Sequence, residues 1–146
     1  MPKSSALDTL IELAQRETDD AARRLGDALK QVEDAQAKLE MLHGYRDDYA
    51  KRFEQAQMAG MTPMAHRNFV AFVDKLDNAI NGQREVIKHA EYKAGIEKTA
   101  WQASERKRLS YRTLNERAAA ETLRLENKRD QKAMDEHASR QAHFKR

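Results

Sequence analysis

Met58-Ala59-Gly60-Met61-Thr62-Pro63 divides this chain into two helices, and everything else about its fold follows from how the flanking segments are patterned. Glycine suits the residue just past a helix end, threonine suits an N-cap, and proline is tolerated in a first helical turn, where its missing N–H costs nothing. Pro2 and Pro63 are the two prolines of the chain, so helices can run only between them and after the second. The expected architecture is all-α: a first helix over about residues 5–57, a turn over about 58–63 and a second helix over about 64–141, within a single coiled-coil domain.

Upstream of the turn, apolar residues recur every seven positions. One row holds Ile11, Leu25, Val32, Leu39 and Phe53, interrupted by Thr18 and Arg46; the other holds Leu7, Ala14, Ala21, Ala28, Ala35, Leu42, Tyr49 and Ala56. A seven-residue repeat sustained this long predicts a left-handed coiled coil, and alanine in one row lets a partner helix approach closely. The short connection makes the chain's own second helix the natural partner, packed antiparallel. After Pro63 the seam continues through Phe69, Val73, Leu76, Ile80, Gln83, Ile87, Ala90, Ala94 and Trp101. Beyond Trp101 it decays: Arg108, Asn115, Thr122 and Arg129 stand where apolar residues belong, while Tyr111, Ala118 and Leu125 keep a narrower stripe. At 1.5 Å per residue the first helix would span about 78 Å and the second about 117 Å, so roughly 25 C-terminal residues should overhang.

Composition agrees with long exposed helices. Of 146 residues, 35% are charged, 40% hydrophobic and 6% aromatic, a balance that leaves little to bury. From Arg106 to Arg146 there are 12 Lys/Arg against 6 Asp/Glu; of the totals of 27 and 24, that leaves 15 against 18 in residues 1–105. A basic distal half suggests an acidic partner surface, while for any single charge a solvated helix face is the simpler reading. The absence of cysteine excludes disulfides and thiolate chemistry. The opening Met1-Pro2-Lys3-Ser4-Ser5-Ala6 lacks the apolar run of a signal peptide, and no later run reaches the length of a membrane span, so the reading is a cytoplasmic, soluble protein.

Nothing in the residues points to catalysis or to a cofactor. His43, His66, His89, His137 and His143 form no i, i+4 pair. The carboxylates have no concave, dry site in a two-helix hairpin. Gly26, Gly44, Gly82 and Gly95 fall inside helices, where close approach of the two helices is the simplest reason for them. Nucleic-acid binding is disfavoured, because Lys and Arg are interleaved with acids throughout, as in Arg124-Leu125-Glu126-Asn127-Lys128-Arg129-Asp130. The most informative residues lie near the turn. Tyr45 and Phe72 stand off the seam beside Leu42, Tyr49, Leu76 and Ala79, and Phe72, Leu76, Ala79 and Gln83 follow i, i+4, i+7, i+11. Two stripes facing one side would make a docking face.

With these stretches in hand, the chain resembles the FliJ family of the bacterial flagellar type III export apparatus. The resemblance runs from Ala6-Leu7-Asp8-Thr9-Leu10, Leu13-Ala14, Asp19-Asp20-Ala21-Ala22-Arg23 and Leu25-Gly26 through Met41-Leu42, Tyr45, Tyr49, Ala59-Gly60-Met61-Thr62 and Phe72 to Ile80. It ends in Glu126-Asn127-Lys128-Arg129-Asp130-Gln131-Lys132 and Met134-Asp135-Glu136. It implies a stalk-like cytoplasmic component, located peripherally at the inner face of the inner membrane through its partners. Those partners are the hexameric export ATPase, the cytoplasmic domain of the export gate and the export chaperones. The family's gate-docking face corresponds to Leu42, Tyr45, Tyr49, Phe72, Leu76, Ala79 and Gln83, with Lys38 and Gln83 standing where the family pattern has Gln and His. By the same resemblance, contacts to the ATPase ring fall to Leu7, Leu10, Arg16, Arg23, Leu25, Arg124, Arg129 and Lys132. A free chain of this kind would be a monomer without enzymatic activity. The alternative is a structural coiled coil that self-associates.

Overall fold

The computed structural model describes the backbone of residues 2–144 and the side chains of residues 6–144. It contains α1, Pro2–Ala59, and α2, Pro63–Phe144, and no strand among the described residues. The break between them is three residues, and each has a local cause. Gly60 takes a φ of +95° and donates its N–H to the Gln57 carbonyl at 3.2 Å, closing the end of α1. Thr62 caps α2: its Oγ1 accepts from the Ala65 N–H at 3.1 Å, and its carbonyl accepts from His66 N–H at 3.0 Å, the first helical bond. Pro63 therefore sits at the first helical position.

The chain divides into two compact units, residues 19–102 and residues 1–18 with 103–146. In the first unit the two helices pair antiparallel. Gln83 Nε2 donates to the Ala35 carbonyl at 2.9 Å, Arg46 pairs with Asp77, and Arg24 meets Glu97 at 3.3 Å, so partners rise along α2 as they fall along α1. The seven-residue rows of α1 are its buried and half-buried positions: Ala21, Ala28 and Ala35 are buried, and Leu25, Val32, Leu39, Leu42, Arg46, Tyr49, Phe53 and Ala56 are half-buried. From α2 come buried Ile80, Gln83, Ala90 and Ala94. No described side chain larger than alanine is wholly enclosed, so the centre of the seam is lined mainly by alanine methyls, with Ile80 buried and the larger seam residues of α1 half-buried beside them.

The second unit is a shorter pairing with a long unpaired stretch. Ala14 and Thr18 are buried, with Thr18 Oγ1 returning to the Ala14 carbonyl at 2.9 Å, and Lys107 meets Glu17 at 3.5 Å. On α2 the half-buried positions run through Ser104, Glu105 and Arg108 to Tyr111; every described residue from Arg112 onward is exposed. The overhang is real, and the stripe of Ala118 and Leu125 finds nothing to cover it. Polar residues occupy half-buried positions in both units, Glu97 in the first and Ser104, Glu105 and Arg108 in this one, and apolar periodicity does not flag them as covered.

The four internal glycines do not mark close approach. A Cβ built at Gly26, Gly44, Gly82 or Gly95 meets nothing within 4 Å. They lie on open helix faces, because the close approach is made by the alanine row instead.

Candidate docking faces

The turn is so short that α1 and α2 must face each other with whatever seam residues lie beside it, and here those residues are rings. Phe53 stands 5.4 Å from His66 and 5.3 Å from Phe69; Tyr49 stands 5.2 Å from Phe69 and 4.2 Å from Phe72. Tilted and edge-on pairs at these separations are favourable for aromatic quadrupoles. The Tyr49–Phe72 contact and the Arg46–Asp77 pair fix the register, which sets Tyr45 level with Leu76 and Leu42 level with Ala79.

Register also decides which side each residue takes. Tyr45, Phe72 and Ala79 each precede a seam position by one, and in an antiparallel pair such positions share a flank. Tyr45 is 54% exposed and Phe72 41% exposed, with Ala79 also near the surface and Leu42, Tyr49 and Leu76 half-buried behind them. Six of the seven sequence-read docking residues thus form one apolar strip. Gln83 does not join it: it is 7% exposed, and its amide is committed to the Ala35 carbonyl.

The opposite flank carries a feature the sequence did not single out. Ala50 and Val70 each follow a seam residue by one, and with Arg46, Phe53, Phe69, Val73 and Asp74 they line a hollow of about 220 Å³. Beside it, Arg46 and Asp77 perturb one another. The hydrogen bond to Arg46 holds the Asp77 carboxyl below the usual carboxylate value, and the same bond raises the Arg46 guanidinium.

The residues expected at an ATPase ring are divided between the two units. Arg23 and Leu25 belong to the unit of residues 19–102. In the other unit, Leu10 is exposed and Leu7 half-buried, and Arg16 is paired with Glu12 at 2.8 Å. Arg124, Arg129 and Lys132 stand on the uncovered stretch of α2. Arg124 is held by Glu121 at 2.7 Å, a hydrogen bond that lowers the Glu121 carboxyl and raises the guanidinium.

A helical hairpin with this seam is a shape many proteins share, so family rests on sequence. The family model described as flagellar FliJ protein matches residues 3–146. The chain belongs to the FliJ family. It is 34% identical to the flagellar FliJ protein of Escherichia coli (strain K12) and 32% identical to that of Salmonella typhi, in each case over 142 residues covering 97% of both chains. FliJ membership makes the chain a component of flagellar protein export and of flagellum biogenesis. Among the described residues, no helix is long and apolar enough to cross a membrane.

Proposed function

We propose that the chain acts as a stalk-like coiled-coil component that joins the hexameric export ATPase to the cytoplasmic domain of the export gate and assists in handling export chaperones. On this reading the protein works by contact alone, with hydrolysis belonging to the ATPase, and it stays at the inner face of the membrane through its partners. The observation that carries the gate contact is the strip of Tyr45, Phe72 and Ala79 backed by Leu42, Tyr49 and Leu76. It is an aromatic and aliphatic surface on a flank that the pairing of the two helices leaves open. Exposed aromatic anchors of this kind concentrate binding energy in protein interfaces. The basic, uncovered stretch beyond Tyr111 supports the ATPase contact, since Arg129 and Lys132 are presented to solvent for an acidic surface.

The test is a pull-down with purified gate domain. Phe72→Ala should weaken binding by about tenfold or more, as expected for truncating an interface anchor, while far-ultraviolet circular dichroism stays helical. Leu76→Ala should act in the same direction. Gate binding unchanged in both variants overturns this docking face. A purified export ATPase stimulated by the full chain, but not by Arg129→Glu/Lys132→Glu, tests the other contact.

A further inference from the structure

On the flank away from Tyr45 and Phe72, α1 carries apolar residues beyond its seam. The positions that follow the alanine row by one read Ala22, Leu29, Gln36, His43 and Ala50 within the first unit, so Ala22 and Leu29 stand one heptad apart ahead of two polar residues. A two-helix coiled coil needs only its two seam rows; apolar residues added beside them are the pattern of a helix that packs against more than one neighbour. Leu29 is the large member and is 54% exposed. It edges a hollow of about 400 Å³ floored by Leu25, Val32, Ala94 and Trp101.

The α2 rim of that hollow is charged in a definite order. The corresponding positions of α2 in this unit read Val70, Asp77, Arg84, Glu91 and Lys98, so from Asp77 onward sign alternates at each heptad. Asp77 is taken by Arg46, and Arg84 donates to Asn81. Glu91 and Lys98, which line the hollow, make no ion pair among the described residues. Their own helix cannot supply one: the positions three and four away from Lys98 are Ala94, Gly95, Trp101 and Gln102, and the one cation within reach of Glu91, Lys88, is paired with Glu85 at 3.3 Å. One anion and one cation therefore stand about 10 Å apart along the rim, beside an uncovered leucine and an apolar floor.

We propose that this groove takes an amphipathic helix of a partner protein as a third strand. That helix fills the hollow with a large aliphatic side chain and sets a cation against Glu91 and an anion against Lys98, one heptad apart. Helix-in-groove recognition uses such apolar anchors flanked by matched charges. A second copy of this chain is the poorer occupant, because one seam row of its uncovered stretch reads Asn115, Thr122 and Arg129 and the other offers Leu125 as its one large aliphatic residue. The proposal does not depend on the gate or the ATPase, since Tyr45 and Phe72 lie on the other flank.

The experiment titrates the full chain into three labelled, leucine-seamed, three-heptad helical peptides, read by fluorescence anisotropy. They carry Lys and Glu, two Lys, or two Glu one heptad apart on the flank. Wild type should bind the mixed peptide about tenfold more tightly than either same-sign peptide, a typical effect of charge matching. Glu91→Lys should move the preference to the two-Glu peptide, and Lys98→Glu to the two-Lys peptide. Leu29→Asp, at an exposed position, should abolish binding of all three while helicity is kept. No binding by wild type, or binding indifferent to these substitutions, overturns the proposal. So does sedimentation showing a dimer that Leu29→Asp returns to monomer, for the occupant would then be a second copy.

Discussion

At Gly60 the backbone sits at a φ of +95°, where a side chain would crowd the following carbonyl. Gly26 and Gly82, by contrast, are ordinary helical residues whose added Cβ would meet open space. Alanine should therefore have opposite effects at these sites. Gly26→Ala and Gly82→Ala should each raise stability by about 1 kcal/mol through the better helix propensity of alanine. Gly60→Ala should lower it by about 1 kcal/mol or more. Chemical denaturation of the three variants checks both signs, and the two gains should add, because the sites are far apart in the sequence and share no partner. Sequence alone assigns the internal glycines to close approach, and the error is instructive. Periodicity says which face a residue occupies, yet Gly26 and Gly82 sit outside both seam rows, so the rows themselves already argue against contact.

At the scale of the helices, the pairing is pinned by a few polar contacts laid across an apolar seam. Gln83 to Ala35 fixes the level of α2 on α1, and Arg46 to Asp77 fixes it again nearer the turn. Asp77 has its carboxyl depressed by Arg46, so its contribution is present above the ordinary carboxylate range and is lost as pH falls through the depressed value. Asp77→Asn should accordingly be less stable than wild type at about pH 6, and the two melting temperatures should converge as the solution is brought below about pH 4. Both side chains remain about 40% exposed, so the difference should be small and should shrink further in high salt. The heptads make the two helices, their boundary and their seam readable. What they do not convey is the behaviour of polar residues inside that seam. Gln83 falls on the docking stripe by spacing alone, but a residue that is also a seam member is drawn inward once it finds a backbone acceptor. The hollow lined by Ala50 and Val70 escapes a reading of the sequence because alanine and valine beside a seam look like filler until the opposing helix is in place.

At the scale of the molecule, packing is unevenly distributed. In the unit of residues 19–102 the helices are paired throughout, whereas in the other unit α2 runs on past Tyr111 with only its own turns and ion pairs such as Arg112–Glu116 and Arg124–Glu121 to hold it. A helix without a packed face lacks the tertiary burial that supplies most helical stability in proteins. Amide hydrogen exchange should therefore be fast from residue 112 onward and slowest around Ala28, Ala35, Ile80 and Ala90. Equal protection along the whole of α2 would contradict the picture of an uncovered overhang.

The alanine row has a thermal consequence. Because the buried apolar residues among those described are, Ile80 apart, all alanines, melting this chain should hydrate unusually little new oily surface for its length. Its heat-capacity increment, measured by scanning calorimetry, should then fall below the roughly 12–15 cal/mol/K per residue of globular domains. The curve of stability against temperature would be correspondingly flat, leaving the helices tolerant of cold and loosening gradually on warming.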